Sequence, residues 1–375
     1  MKAIRNPFIM SGYVSPDYFC DRAEETRALV SALRNGRNVT LMSPRRMGKT
    51  GLIHNAFFSI QQADSDAVCI YIDIFPTKDL HGFVSLLAKS IIGKVSSVTQ
   101  TFRDSIGTFF RTLRPVLTSD PITGSLSASI DFKPQESRST LDEIFSYLKS
   151  AGRECFIAID EFQQISEYAD GEDIEALLRS YIQFCPNVHF IFSGSKQHLM
   201  SEIFDSPKRP FYRSTQKMSL HAIDEEAYCQ FATEWMAKVG MALPQEVFHE
   251  IYTMFEGHTW YVHNILNRLY ERAERQIGIE LVYDCIREIL ASEHDDFSRL
   301  VNMLTLNQAQ LLKAIAKDAP VSAINASAFI TANHLKGTSS INKALAFLLD
   351  NEYVYRSDQG YIVYDRFLGL WLRQL

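Results

Sequence analysis

Eight consecutive residues, Ser43–Thr50, have the types and spacing of a loop that binds phosphate groups. A short apolar run precedes them and a helical pattern follows them. This order lets the backbone N–H groups of the loop and of the helix start converge on phosphate oxygens. Gly48 allows the backbone to approach closely, Lys49 can reach the β- and γ-phosphates, and the Thr50 hydroxyl can ligate Mg²⁺. The segment therefore predicts a triphosphate-binding loop.

The whole loop and the first residues of its helix are expected to contact the nucleotide. These residues are Ser43, Pro44, Arg45, Arg46, Met47, Gly48, Lys49, Thr50 and Gly51. Ser43 stands where the usual pattern has glycine. Because Pro44 fixes one backbone angle directly after it, a first residue other than glycine is tolerable.

A second apolar run, Cys155–Asp160, ends in two adjacent carboxylates. A continuous apolar run predicts a strand buried on both faces of a parallel sheet. Like charges side by side at its end are costly unless a cation lies near. We expect Asp160 and Thr50 to hold the metal shell, and Glu161 to act as the catalytic group that polarises the attacking water. Lys49 is counted with the catalytic groups because it holds the phosphates.

Two further candidates follow later in the chain. The strand Val188–Phe192 ends in Ser193-Gly-Ser195-Lys196, and ligands in such folds bind beyond the carboxyl ends of the strands. Ser195 and Lys196, with Ser193 behind them, are therefore candidate sensors of the γ-phosphate; a turn followed by a helix cap is the alternative.

Arg213, in the segment Pro210–Arg213, could stabilise charge in the same or a neighbouring site. Such an arginine can contribute ~10³-fold or more in turnover. The alternative is a surface residue that forms a salt bridge.

The helical and strand patterns around these groups predict an α/β fold. It would consist of a P-loop NTPase parallel sheet flanked by helices, followed by a helical lid and a winged-helix domain. We expect an ATPase domain in residues 1–218, with a hairpin inserted at about 110–135 around the turn signal Asp120–Gly124. The helical lid would span residues 219–300 and the winged helix 301–375. Before the loop, Tyr18–Leu33 predicts an amphipathic helix capped by Asp21.

The last part of the chain has three helical patterns and a hairpin, and its third helix could enter the DNA major groove. From Thr305 onward there are seven Lys and Arg against five Asp and Glu. This is a thin electrostatic footprint for DNA. A packing or partner-docking module is the alternative.

Composition limits the remaining classes. The net charge of −6 argues against a large non-specific nucleic-acid surface. Six scattered cysteines indicate neither a zinc site nor a disulfide framework. No apolar stretch is long enough for a membrane span, so we expect a cytoplasmic protein. A GTPase is excluded, because the segment Asn342-Lys343-Ala344-Leu345 lacks the aspartate of the guanine-binding motif Asn-Lys-x-Asp. An ABC ATPase is also excluded: its signature precedes the Asp-Glu strand, whereas the similar segment Ser193–Gln197 follows it.

With these motifs, the chain resembles the archaeal and bacterial ATPases of the AAA-like, STAND-related branch of P-loop proteins, particularly the set found in Bacteroidetes-type bacteria. The resemblance covers nearly the whole chain. It is carried by these segments: Phe19–Arg22, Ser43–Thr50, Tyr71–Phe75, Ile159–Phe162, Phe192–Ser195, Phe211–Arg213, Gly257–Tyr261 and Tyr364–Trp371. It implies ATP binding, a helical lid and a winged helix. Serine at the first loop position recurs in this group, whereas Gly257-His258-Thr259 departs from its frequent Gly-x-Pro.

These observations predict a protein that binds ATP and Mg²⁺ and hydrolyses ATP to drive or switch a conformational change of lid and winged helix. The alternatives are a nucleotide-held regulatory switch with little turnover and an ATP-dependent DNA-binding regulator. Expected partners are ATP or ADP and a protein client, with DNA and a second copy of the chain as further possibilities.

Overall fold

The computed structural model describes residues 6–95, 111–112, 114–119, 126–150, 152–357 and 359–374. The chain divides into two compact units. The first unit comprises Ile9–Tyr228 and His258–Trp260, and the second comprises Met1–Phe8, Cys229–Gly257 and Tyr261–Leu375.

The first unit contains a five-stranded parallel sheet with strand order β2-β5-β6-β1-β7. Its strands are β1 (Val39–Met42), β2 (Val68–Asp73), β5 (Cys155–Asp160), β6 (Val188–Gly194) and β7 (Gln216–Ser219). Every residue of β5 and β6 is buried, as a strand covered by helices on both faces requires. The carboxyl ends of β1, β5 and β6 therefore lie side by side.

Helices and short 3₁₀ turns connect these strands. They are α1 (Ala23–Arg34), α2 (Lys49–Ala63), α3 (Leu80–Val95), α4 (Ser137–Ser150), α5 (Gly171–Gln183) and α6 (Gln197–Asp205), with 3₁₀ turns at Pro16–Tyr18, Pro134–Glu136 and Phe162–Glu167. Buried apolar residues of α1 and α2 form one core with β1. Those of α3–α6 form another with β2, β5 and β6.

The inserted hairpin is present as the antiparallel strands β3 (Arg114–Ser119) and β4 (Leu126–Asp131). The turn signal Asp120–Gly124, on which the hairpin was predicted, lies outside the described residues.

The second unit is helical before its carboxyl-terminal hairpin. Its first helices are α7 (Glu225–Ala237), α8 (Gln245–Met254), α9 (Thr259–Arg272), α10 (Ile279–Ser292) and α11 (His294–Asn302). Helix α7 belongs to this unit from Cys229 onward, and α9 from Tyr261 onward. The winged helix then follows as α12 (Leu306–Asp318), α13 (Ser327–Ala332), α14 (Thr338–Asp350), β8 (Val354–Ser357), β9 (Gly360–Val363) and α15 (Arg366–Arg373). α12 packs against α14 and α15. The predicted fold class is confirmed.

One local prediction was wrong, and one strand was not predicted. Asp21 does not cap the first helix, which begins at Ala23 with Arg22 as its N-cap residue and no side-chain cap. Asp21 and Arg22 both have positive φ, at 48° and 63°, and this tight turn directs Arg22 into the unit. The edge strand β7 was not predicted, because its four residues carry no apolar run.

Within the described residues, no helix is long and apolar enough to cross a membrane. The domain boundaries at 218/219 and 300/301 stay predictions.

Candidate functional site

The predicted phosphate loop connects β1 to α2 and has the backbone shape that its residue types allow. Gly48 is the N-cap residue of α2 with φ of 97°, a conformation that costs glycine little because it has no Cβ. Lys49 is buried, and its Nζ donates to the carbonyl oxygens of Ser43 at 3.0 Å and Pro44 at 3.2 Å. The ammonium group therefore lies inside the curve of the loop.

The residues around the loop also restrict its shape. Gly51 lies under the Phe19 ring, and a Cβ at this position would be 2.7 Å from a ring carbon. Arg22 is buried and donates to the carbonyl oxygens of His221 at 2.6 Å and Met47 at 3.5 Å. Arg22 thus links the turn before α1 to the phosphate loop and to the segment after β7.

The Asp160 carboxylate accepts hydrogen bonds from four groups. Oδ2 accepts from the Tyr71 hydroxyl at 2.5 Å and from Thr50 Oγ1 at 3.2 Å. Oδ1 accepts from Ser193 Oγ at 2.6 Å and from the backbone N–H of Glu161 at 3.0 Å. Charge-assisted bonds of this kind fix an ionised carboxylate in one orientation.

Thr50 and Asp160 fit the donor set of a Mg²⁺ site. Mg²⁺ prefers oxygen ligands, keeps several waters, and is usually held by one or two protein oxygens together with substrate phosphates. The structure brings one hydroxyl and one carboxylate oxygen within 3.2 Å at the end of the phosphate loop. Burial, followed by the charge of Asp160, raises the pKa of Tyr71, so Tyr71 remains a neutral donor to Asp160.

Glu161 follows β5 in a left-handed conformation, with φ of 55°, which is uncommon for a residue with a Cβ. Its Oε2 accepts from Ser195 Oγ at 2.9 Å and from Gln163 Nε2. Arg45 Nε lies 3.4 Å from Ser195 Oγ and donates to it. Because Ser195 accepts from Arg45, its own hydrogen is directed to Glu161, and the phosphate loop is thereby linked to Glu161.

The structure does not bring every candidate to this edge of the sheet. Lys196 Nζ pairs with Glu167 Oε1 at 3.0 Å. Arg213 is exposed, with its guanidinium 5.3 Å from the centre of the Tyr212 ring. Among the described residues, no hydrogen bond or ion pair joins that guanidinium to the phosphate loop. His258, at the position where the chain departs from the frequent Gly-x-Pro of similar ATPases, is buried in the first unit.

Three contributors were missed at the sequence level: Tyr71, Gln163 and Arg22. A tyrosine near the carboxyl end of a buried strand needs a partner for its hydroxyl, and this signal could have pointed to Tyr71. Gln163 and Arg22 have no such signal, because each depends on a backbone turn with positive φ that places it.

Family comparisons agree with this geometry. A model described as an ATPase domain predominantly from Archaea matches residues 19–265, and one described as a probable winged helix domain matches residues 295–374. The first match alone covers more than half of the chain. The chain therefore belongs to this family of archaeal-type P-loop ATPases, with a carboxyl-terminal winged helix.

Solved structures show the same fold at low sequence identity. A Walker-type ATPase of Pyrococcus abyssi has a TM-score of 0.67 at 17% identity, covering 98% of this chain and 99% of that one. The ORC2 protein of Aeropyrum pernix, in ADPNP–ADP complexes, has a TM-score of 0.59 at 15% identity, covering 98% and 95%. The ORC1 protein of Aeropyrum pernix, in complex with DNA, has a TM-score of 0.53 at 16% identity, covering 96% and 94%. No curated protein matches by sequence.

Proposed function

We propose that this chain is an Mg²⁺-dependent ATPase whose site is formed by the phosphate loop and the carboxyl ends of β5 and β6. Family membership supports ATP binding and hydrolysis. The observation that carries the proposal is the pair of oriented carboxylates: Asp160 bonded to Thr50 of the loop, and Glu161 bonded to Ser195. The two carboxylates have different partners, as different roles require.

The roles follow from these contacts. Lys49 and the loop N–H groups would bind the phosphates, and Thr50 and Asp160 would hold Mg²⁺, which neutralises phosphate charge when bound. A water oxygen forms a bond to the γ-phosphorus while the bond from that phosphorus to the β–γ bridging oxygen breaks, giving ADP and phosphate. Glu161 orients this water and accepts its proton.

The test is steady-state ATP hydrolysis by the purified protein and by Glu161→Gln. We expect the variant to lose ~10²-fold or more in kcat while binding ATP as wild type does. Glu24→Gln is the matched control, because Glu24 is 90% exposed on α1 and pairs there with the exposed Arg27. Equal turnover by wild type and Glu161→Gln would contradict the catalytic role. Binding without turnover by wild type would favour a nucleotide-held switch.

We also propose that nucleotide changes the conformation of the helical lid and the winged helix, through a three-residue strap, His258–Trp260. The strap belongs to the first unit, although its neighbours in the chain belong to the second. Trp260 lies 4.0 Å from the Arg46 guanidinium, ring centre to Cζ, in a cation–π contact. Thr259 Oγ1 lies 3.5 Å from the Met47 carbonyl oxygen. The strap therefore contacts two phosphate-loop residues directly.

The residues just before the strap are fixed to the winged helix within the second unit. Glu256 Oε2 accepts from Arg366 at 2.8 Å, and the same guanidinium donates to the Tyr355 hydroxyl at 2.6 Å. Phe255 also packs edge-to-face on Phe367, with ring centres 5.5 Å apart. A shift of the phosphate loop on nucleotide binding would thus be passed along the chain from Trp260 to Glu256 and on to α15.

Hydrogen exchange of the full chain tests this coupling. We expect nucleotide to change amide protection at residues 354–373 in wild type, and the change to be lost in Trp260→Ala. Trp235→Ala is the control, because Trp235 makes a similar cation–π contact, with Lys238, away from the strap. Nucleotide-dependent exchange that persists in Trp260→Ala would overturn the strap as the route.

A second candidate, a nucleotide-dependent DNA-binding regulator, is supported by the exposed face of α14. Ser339, Asn342 and Lys343 are exposed there, and Lys336 is exposed just before the helix. A neighbour with the same fold was solved in complex with DNA. We expect weak duplex binding that Lys336→Glu with Lys343→Glu reduces and that falls with salt, measured by fluorescence anisotropy. Binding that is unchanged by both substitutions would remove this candidate.

A STAND-type switch that acts on a protein client would use the strap described above. Arg213 is exposed and would reach a neighbouring copy in an oligomer. The six cysteines, all within the described residues, form no disulfide, which fits the reducing cytoplasm.

A further inference from the structure

Gln163 has a buried side chain in the 3₁₀ turn after β5, and one end of its amide is bonded to Glu161. Its Nε2 donates to Glu161 Oε2, whereas its Oε1 is buried with no hydrogen-bond partner among the described residues. Because an ionised carboxylate can only accept, the amide must present its NH₂ group to Glu161. A buried carbonyl oxygen without a partner costs free energy, and it is retained here beside the proposed catalytic group.

Gly194, the last residue of β6, makes room for this amide. A Cβ at this position would lie 2.2 Å from Gln163 Oε1 and 2.6 Å from Met200 Sδ. The residues on either side of Gly194 each donate to one carboxylate of the site: Ser193 Oγ to Asp160 Oδ1, and Ser195 Oγ to Glu161 Oε2. Three consecutive residues at the end of β6 therefore act on the two carboxylates. The two serines donate hydrogen bonds to them, and Gly194 leaves the space in which the Gln163 amide reaches Glu161.

We propose that Gln163 is a positioning residue for Glu161, and that Gly194 is required because it admits the Gln163 amide. Ser195 and Gln163 both donate to Oε2. Among the described residues, Oε1 of Glu161 has no donor, so this oxygen is the one left for the attacking water. Holding Oε2 at two points fixes the direction in which Oε1 faces, which matters because proton transfer requires hydrogen-bond geometry with the water.

This inference rests on the proposed ATPase function, and its test separates the two. In Gln163→Met the side chain keeps a similar length but has no donor. We expect kcat for ATP to fall about 10-fold or more with KM and ADP affinity unchanged. Affinity for the ADP–Mg²⁺–aluminium fluoride complex, which mimics the transferring phosphoryl group, should fall with kcat. Gln164→Met is the matched control, because the Gln164 side chain, among the described residues, bonds the exposed Glu167 and not Glu161.

Gly194→Ala provides a second route to the same state, because the added methyl group displaces the amide without removing it. We expect the same kcat loss with ADP affinity retained, and little further loss when Gln163→Met is added, because both changes break one interaction. Retained ADP binding shows in each case that the variant is folded.

Turnover and aluminium fluoride binding at wild-type levels in both variants would overturn the positioning role while leaving the ATPase assignment intact. If wild type binds ADP but does not hydrolyse ATP, the aluminium fluoride comparison alone decides. If wild type binds no nucleotide, both the function and this inference fail.

Discussion

The Asp160 carboxylate shows how much of this site is devoted to orienting a single side chain. It accepts hydrogen bonds from one serine, one threonine and one tyrosine hydroxyl and from one backbone N–H. Ordered donors of this kind hold a carboxylate ready for a cation and avoid the cost of reorganising it on binding. Tyr71 is the member that neither the phosphate-loop pattern nor the Asp-Glu pair includes.

Removing that hydroxyl should weaken metal binding rather than nucleotide binding. In Tyr71→Phe, Asp160 Oδ2 loses its 2.5 Å bond, while the phosphate loop is unchanged. We expect the Mg²⁺ concentration for half-maximal ATPase activity to rise about 10-fold, the lower end of what loss of such an orienting group costs in metal affinity. Affinity for ATP without Mg²⁺, measured by calorimetry, should not change. Tyr212→Phe is a suitable control, and an unchanged Mg²⁺ dependence would contradict the role of Tyr71.

Sequence analysis could propose those candidate site residues that form short local patterns. The loop Ser43–Thr50 and the pair Asp160-Glu161 are short local patterns, so they can be recognised without a structure. Gln163 could not be found in this way, because its contact depends on a left-handed Glu161 and on the missing Cβ of Gly194. These are properties of backbone geometry between segments that are not adjacent in the chain.

At the scale of elements, the segment between α6 and β7 is held by a partly buried arginine. Arg209 bonds both carboxylate oxygens of Glu175, which is fully buried on α5. It also reaches Glu172 at 3.4 Å and Glu202 at 3.3 Å. Burial, only partly offset by Arg209, raises the pKa of Glu175. The network fixes the segment that continues to Arg213.

Removing the cation should destabilise the first unit strongly. Arg209→Met leaves Glu175 buried without a partner, and breaking such a pair costs about 3–5 kcal/mol. The double variant Arg209→Met with Glu175→Leu should recover much of that loss, because it removes both charges. Urea unfolding in the presence and absence of nucleotide would measure this. Lys217→Met is the control, since its ion pair with Asp205 is exposed and worth below about 1 kcal/mol. Equal effects of the two single variants would show that the Glu175 pair is not critical.

The elements themselves were largely predictable from apolar periodicity, and the exceptions have physical causes. The strands β1, β5 and β6 are short apolar runs buried on both faces. The strand β7 is a partly exposed edge strand with polar side chains, so only its pairing with β1 defines it. The start of α1 was misplaced because its first turn is set by two left-handed residues rather than by a capping side chain.

At the scale of the whole molecule, the two compact units exchange chain segments. Phe8 belongs to the second unit, is fully buried, and packs edge-to-face on Phe231, His263 and Tyr270 with ring centres 5.9–6.2 Å apart. Asn267 Nδ2 donates to the Phe8 carbonyl oxygen at 2.8 Å. Phe8 is therefore part of the helical unit that contains the winged helix.

A change at the beginning of the chain should thus be felt in its second half. We expect Phe8→Ala to cost about 3–5 kcal/mol, as for other buried phenylalanines, and to increase hydrogen exchange in residues 262–272. Exchange in β5 should not follow. Phe58→Ala, at a side chain that is 41% exposed, is the control and should have a small effect. Loss of protection in β5 alone would contradict the assignment of Phe8 to the second unit.

The position of Phe8 also has a consequence during protein synthesis. Its partners Phe231, His263 and Tyr270 leave the ribosome long after it does; at about 5–20 residues per second, the delay is about ten seconds or more. The strap His258–Trp260 reaches the first unit equally late. The Phe8 side chain must therefore wait without these partners until α9 has been synthesised. Neither compact unit can therefore complete its folding when its first residues are synthesised, because each includes a segment that is made much later.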